Sequence, residues 1–283
     1  MGMAGFKGII TRIKLVIRFQ ILFWTFFGVP VRQKVAFSAT STIAPLRGKI
    51  SYLGDVFWSD NKVALLLLPE YVALVNNVFS VMRNSGVDCL RVLDIGANVG
   101  QFGATVIRST NASVLSIEPN PACWRYLEMN KAGSEKWIYE KRAISAKKEN
   151  LTLFHVRNKS AQGSFLLANA SRDLVGRSEV ESVVVETGPF RSGANQSVLF
   201  DLVKVDVEGF ELEVMRGLVN VVFQYLLIEI DEHRENGFTQ FELEEVVLND
   251  LGYVLTEVFS DRASSELGPR NVLYRNDTNL VKA

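Results

Sequence analysis

The sequence predicts an α/β fold, a mostly parallel sheet with helices on both faces. Three observations carry the prediction. Beyond Asn61, short apolar runs of strand length alternate with segments of helical period, the pattern of successive βα units. Glycine and acidic motifs fall where apolar runs end, at Asp94–Gly100, Glu118–Asn120 and Asp206–Gly209, which is where an open parallel sheet holds its ligand. The last two strand-like runs, Tyr253–Val258 and Asn271–Tyr274, have no helix between them, so they close the sheet as an antiparallel pair.

Taken in order, residues 35–61 read as extended and loop-like. An apolar helix-period stretch then runs to about Arg83, with Pro69 interrupting it, since proline removes a backbone donor. Arg91–Gly96 is a short buried strand around Val92 and Leu93, Phe102–Arg108 a helix, and Ser113–Ile117 the next strand. Asn120 is a helix N-cap with Pro121 at the first helical position, and that helix continues to about Lys131. A side-chain oxygen at the cap satisfies an orphan N–H, and proline has none to lose there. Trp137–Lys141, Leu151–Val156, Ser182–Glu186 and Leu202–Val207 are strands. A helix from Phe210 to Arg216 is stopped by Gly217, Tyr225–Ile230 is a strand, and Phe241–Leu251 is an amphipathic helix ended by Gly252. No repeat, low-complexity tract or Pro/Gly/Ser linker divides this stretch. Residues 62–283 are therefore expected as one domain, and residues 1–61 as an N-terminal basic and apolar helix with an extended segment.

Composition excludes several classes. The 283 residues carry 31 Lys+Arg and 31 Asp+Glu, a balance that lacks the basic excess of a dedicated nucleic-acid binder. With 48% hydrophobic and 22% charged residues, the chain is not broadly disordered. Its two cysteines, Cys89 and Cys123, and its two histidines make neither a disulfide framework nor a Cys/His zinc cluster. The cysteines read as reduced, buried thiols of a cytoplasmic protein. One segment stands apart. Lys7, Arg12, Lys14 and Arg18 precede an uncharged run from Phe19 to Val31, and Arg32 and Lys34 follow it. That run is too short for a bilayer span, which needs roughly 20 residues. Two placements are open for residues 7–34: a basic amphipathic helix lying peripherally on the inner face of a membrane through Phe19, Phe23, Trp24 and Phe27, or a helix packed on its own domain or a partner.

The first strand-end motif is Asp94-Ile95-Gly96-Ala97-Asn98-Val99-Gly100. Gly96 and Gly100 supply a tight turn and let a ligand approach the backbone. A nicotinamide dinucleotide calls for Gly-x-Gly-x-x-Gly, and Asn98 stands where its middle glycine belongs. Asp94 also places a carboxylate beside the loop, which repels a pyrophosphate and attracts a cation. Glu118 ends the next strand, where an acid accepts hydrogen bonds from ribose hydroxyls. A ribose joined to a sulfonium-bearing amino acid describes S-adenosylmethionine.

Further along, Lys204-Val205-Asp206-Val207-Glu208-Gly209-Phe210-Glu211 ends a buried strand and opens a helix. Together with Asp94–Gly100, Glu118-Pro119-Asn120, Ala143-Ile144-Ser145 and Leu227-Ile228-Glu229-Ile230, this stretch resembles the FkbM family of S-adenosylmethionine-dependent methyltransferases, over roughly residues 65–275. The resemblance implies a class I methyltransferase fold: a Rossmann-like, seven-stranded, mostly parallel sheet with an antiparallel last strand. It implies O-methylation of a hydroxyl on a sugar, glycolipid or secondary metabolite. Carried over by position, it implies that Asp94, Gly96, Asn98 and Gly100 surround the cosubstrate's methionine part and that Glu118 holds the ribose. Asn120, Ala143 and Ile144 would border the adenine, with Asp206, Glu208 and Gly209 next to the transferred methyl group. Phe210 is bulkier than the family's usual small residue, and the substrate-facing loops follow no pattern.

Methyl transfer requires alignment of an acceptor oxygen and removal of its proton. Asp206, at a strand end facing the cofactor, is the first candidate base and Glu208 the second; Lys204 is placed to pair with one of them, which lowers a carboxylate's basicity. His233, in the loop Asp231-Glu232-His233-Arg234, is the third candidate. His155 reads as a strand residue without a chemical role. Asp206, Glu208 and Glu229 match the hard ligands of a divalent cation, but their spacing does not demand one, and no metal site is expected. Two other readings stand beside the methyltransferase: a nicotinamide-dependent oxidoreductase, and a non-catalytic membrane-tethered module that keeps the fold.

Overall fold

The structure, a computed structural model, describes residues 49–52, 55–59, 68–156, 159–167, 180–190, 198–218, 221–231, 239–260 and 269–276. The basic segment at residues 7–34 and the candidate base His233 lie outside them. Among the described residues, no helix is long and apolar enough to cross a membrane.

Seven strands form the central sheet, in the order β12(Tyr253–Ser260)–β13(Arg270–Asn276)–β11(Val221–Ile230)–β10(Val198–Val205)–β3(Arg91–Ile95)–β4(Ser113–Ile117)–β5(Trp137–Glu140). Pairings from β11 through β10, β3 and β4 to β5 are all parallel, and only β13 runs antiparallel, to β11 on one side and β12 on the other. This is the class I methyltransferase sheet, with its last strand reversed as expected.

Alternation along the parallel strands builds one core on each face. Val92, Leu202, Tyr225 and Leu227 face helix α1 (Leu68–Asn84), helix α2 (Gln101–Ser109) and helix α3 (Pro121–Lys131), meeting Val75, Phe79, Phe102 and Leu127. Leu93, Val203, Val205 and Ile228 face the other way, onto Leu212 and Met215 of helix α4 (Glu211–Gly217) and Leu243 of helix α5 (Gln240–Glu244). A π-helical turn, Glu245–Asp250, continues α5. A capping box between Thr239 and Glu242 starts that helix, a signal that the sequence reading passed over.

One expectation needs correction. Pro69 does not interrupt a helix: α1 begins at Leu68 and holds Pro69 in its first turn, where a missing N–H costs nothing. The strands after β5 divide between the seven-stranded sheet and a smaller one. β6 (Ala143–Ile144), β9 (Val180–Gly188), β7 (Glu149–Val156) and β8 (Lys159–Ser164) make a second sheet in that order. β7 pairs antiparallel with β9 from Glu149–Thr187 to Val156–Val180, and antiparallel neighbours need no crossover helix.

A short hairpin, β1 (Lys49–Tyr52) with β2 (Asp55–Trp58), precedes the domain core. Phe57 enters the α1–α3 core. The Trp58 amide donates to Asn130 Oδ1 at 2.7 Å, and Asn130 Nδ2 donates to the carbonyls of Trp58 at 2.8 Å and Val99 at 2.7 Å.

Candidate functional site

The carboxyl ends of β3, β4 and β10 are laced together. The amides of Gly96 and Ala97 donate to the Ile117 carbonyl at 3.0 and 3.1 Å, and the Asp206 amide donates to Ile95 at 3.1 Å. Gly96 has φ +77°, and a Cβ on it would stand 1.8 Å from the Asp206 carbonyl oxygen. Only glycine fits that turn. Asn98, the residue that breaks the dinucleotide pattern, has φ 54°, a left-handed conformation that asparagine adopts more readily than other side chains.

Beneath the loop, one row crosses the sheet. Lys204 of β10 is in register with Asp94 of β3, and Asp94 with Ser116 of β4. Register partners project to one face, here the face under α1 and α2. Lys204 Nζ lies 3.1 Å from Asp206 Oδ2 and 3.4 Å from Asp94 Oδ1, and it donates to the Gly96 carbonyl at 3.3 Å. Ser116 donates to Asp94 Oδ2 at 3.2 Å and receives Trp137 Nε1 at 2.9 Å. Asp94 is wholly buried, and its Oδ1 has the lysine's charge but no directed hydrogen bond. Burial pushes the Asp94 carboxyl up, against the pull of Lys204. For Lys204, burial works against the charge, but Asp206 and Asp94 outweigh it and hold the ammonium above its ordinary range. The sequence placed Asp94 beside the cofactor loop; the structure places it under the loop, as an anchor for Lys204.

Tyr71 on α1 joins this cluster. Its phenol is pushed up by burial first and then by the Asp206 carboxylate. No local pattern singled it out, since a tyrosine in an apolar helix reads as core.

Glu118 is 6% exposed. Its two oxygens accept the backbone amides of Asn98 at 2.6 Å and Asn120 at 2.7 Å, so it clamps the glycine loop to the start of α3. Asn120 caps α3 by accepting the Ala122 amide at 3.0 Å, as its sequence position predicts. Burial raises Glu118 to about 7, with both amide hydrogen bonds opposing. A raised folded-state value means that the folded chain holds this proton more tightly than the unfolded one. Stability should therefore fall as pH rises between the ordinary value of 4.5 and about 7, by roughly 3 kcal/mol. Urea midpoints of the ligand-free chain at pH 5 and pH 8 test this. Glu118→Gln should flatten the difference, and an equal slope in both chains would exclude Glu118 as its source.

After β10 the chain turns sharply. Glu208 has φ 59° and Gly209 φ 101°, and the Gly209 amide donates to Glu211 Oε1 at 3.0 Å. The Ser164 hydroxyl of β8 donates to the Glu208 carbonyl at 2.8 Å. Asp94, Gly96, Asn98, Gly100, Glu118, Asn120, Asp206 and Glu208 thus share one end of the sheet. Ala143 and Ile144 form β6 in the second sheet, with buried side chains, and Ile144 packs into the α4-side core. Among the described residues, no group of three or more His, Cys, Asp or Glu is placed to hold a metal ion. Sequence reasoning missed Tyr71, Ser116 and Trp137. Of these, Ser116 had a signal: a polar residue inside an apolar strand two positions before Glu118.

The family model described as the methyltransferase FkbM domain matches residues 94–255, more than half of the chain. The chain belongs to the FkbM methyltransferase family. The FkbM match begins at the buried acid of β3, ends inside β12, and includes every strand-end motif above; Tyr71 and β13 lie outside it. A curated relative, the hexuronic acid methyltransferase AglP of Haloferax volcanii, is 28% identical over 147 residues, covering 48% of this chain and 54% of that protein. The match therefore spans about half the length of that relative. Similar solved structures include the magnesium protoporphyrin IX methyltransferase of Synechocystis PCC 6803, at 11% identity and TM-score 0.41, covering 74% of this chain and 83% of the other. The ribosomal protein L11 methylase of Lactobacillus delbrueckii subsp. bulgaricus is similar at 12% identity and TM-score 0.39, covering 76% and 80%.

Proposed function

We propose that this FkbM methyltransferase transfers a methyl group from S-adenosylmethionine to a hydroxyl of a saccharide, free or carried on a lipid. The observation that carries the reading is the strand-end cluster, in which two acids, Asp94 and Asp206, hold one lysine, Lys204, while a third, Glu118, clamps the glycine loop alongside. That excess of acid suits a ligand bearing a sulfonium and disfavours the pyrophosphate of a nicotinamide dinucleotide. The buried, underbonded Asp94 Oδ1 fits the same reading, and the activity in the name of the curated relative supports the acceptor class.

In this reading Gly96, Asn98 and Gly100 hold the methionine part, Glu118 the ribose, and Asn120 with Ala143 and Ile144 the adenine side. Once bound, S-adenosylmethionine supplies a methyl group already activated on sulfur. The chain's own work is then to orient the acceptor and take its proton. Asp206, held at 3.1 Å by Lys204 and still 16% exposed, accepts the acceptor's hydroxyl hydrogen. Glu208 fixes the acceptor's position from the adjoining turn. His233, outside the described residues, is the alternative proton acceptor.

Titration calorimetry with S-adenosylmethionine, its demethylated product and NAD tests the proposal. Micromolar binding of the sulfonium pair and no binding of NAD is the expected result. Asp206→Asn should keep that binding and lose methyl transfer by roughly 10²- to 10⁴-fold. NAD binding without the sulfonium pair would overturn the reading.

A further inference from the structure

The second sheet reaches the site through three consecutive residues. A Cβ on Gly163 would stand 3.3 Å from Asn120 Nδ2, the Ser164 hydroxyl holds the Glu208 carbonyl at 2.8 Å, and the Phe165 ring lies 4.6 Å from that of Phe210. These contacts run from the cap of α3 to the turn after β10. The end of β8 therefore lies across the interval between the Glu118 and Asp206 motifs.

His155 sits on the same wall. It is the cross-strand partner of Gly163, and Leu153, two residues earlier, reaches 4.0 Å from the Gly163 Cβ position. Cross-strand partners project to one face of a sheet, as do residues two apart. His155 thus shares the face that meets Asn120. Its ring has no side chain from Gly163 beside it. The residue is 9% exposed, and Nδ1 has no hydrogen-bond partner among the described residues. A buried polar atom left open in this way calls for a partner, and the described residues supply none.

We propose that His155 is an acceptor-binding residue, whose Nδ1 exchanges a hydrogen bond with a hydroxyl of the saccharide to be methylated. The proposal rests on the methyltransferase reading above. It makes the inner face of the second sheet, beside Asn120, the acceptor wall.

The test uses the full chain and separates the two claims. S-adenosylhomocysteine affinity is measured first by calorimetry; its absence in the wild type overturns the methyltransferase reading, and with it the basis of this proposal. With that product bound, saturation-transfer NMR follows glucuronic acid, galacturonic acid, glucose and N-acetylglucosamine. His155→Phe should leave the product's affinity unchanged and weaken saccharide binding by roughly tenfold or more. Its thermal midpoint should not fall, since the substitution removes a buried unpaired nitrogen. His155→Gln, which keeps a polar group, should recover part of the affinity, and it carries the test if the phenylalanine variant does not fold. Equal saccharide affinity in the wild type and both variants, or no binding of any of the four by the wild type, overturns the proposal.

Discussion

Gly96→Ala should lose cosubstrate binding and lower the thermal midpoint by roughly 6–20 °C, the shift expected for about 3–5 kcal/mol in a chain of this size. Two costs add. The φ of +77° strains any residue with a Cβ, by about 1 kcal/mol. The larger cost is steric: the new carbon would lie 1.8 Å from the Asp206 carbonyl oxygen and 2.8 Å from its carbon. Those are backbone atoms at the end of β10, a strand paired on both edges, so they cannot move aside as a flexible side chain would. Either the loop shifts or β3 and β10 part. Gly133→Ala is the control, because Gly133 has φ +76° but nothing within 4 Å. It should lose only the strain. Equal midpoints for the two variants in thermal unfolding would refute the steric argument.

Lys204→Met should be nearly as severe. The substitution preserves most of the side chain's bulk and removes one charge. Asp94 and Asp206 then face each other across a buried space with no cation. Removing one partner of a buried ion pair costs about 3–5 kcal/mol, and methyl transfer should vanish with the loss of Asp206's orientation. The pH dependence separates charge from packing. Without the lysine's pull, the Asp94 carboxyl, already pushed up by burial, rises further above its ordinary value of 3.8. A raised acid imposes its penalty above that value and releases it as pH falls. The variant's deficit in urea midpoint should therefore be larger at pH 8 than at pH 5. A deficit independent of pH would assign the loss to packing. Lys204→Arg should not rescue fully, because a planar guanidinium cannot meet Asp94, Asp206 and the Gly96 carbonyl as a compact ammonium does.

What the sequence revealed tracks how local each signal is. The Asn120–Pro121 cap, the Gly96 turn and the acids at the ends of β4 and β10 are fixed within a few residues, and the structure places them where the pattern predicts. The second sheet was readable as strands but not as a sheet, because pairing β7 with β9 joins residues from 24 (Val156–Val180) to 38 (Glu149–Thr187) positions apart, beyond the reach of a local pattern. The Lys204–Asp94–Ser116 row depends on register between three strands, which residue spacing does not report. Tyr71 depends on how α1 crosses that row. Pro69 was misread for a different reason: the same residue stops a helix from within and starts one from its first turn, and only the position of the boundary tells them apart.

Strand β13 sets the order in which the molecule is completed during synthesis. It lies between β11 and β12 in the sheet, yet follows both in the chain. Until residue 276 has been made, β12 has no neighbour to join and the outer edge of β11 is bare. The strands that carry the glycine loop and the Asp206 turn can pair among themselves before that, since β3, β4, β5, β10 and β11 are all earlier. A nascent chain can thus assemble its ligand-binding half while its other half waits on its final described strand. During that interval the exposed edge of β11, with Tyr225, Leu226, Leu227 and Ile228 in a row, is the segment most in need of shielding from other chains.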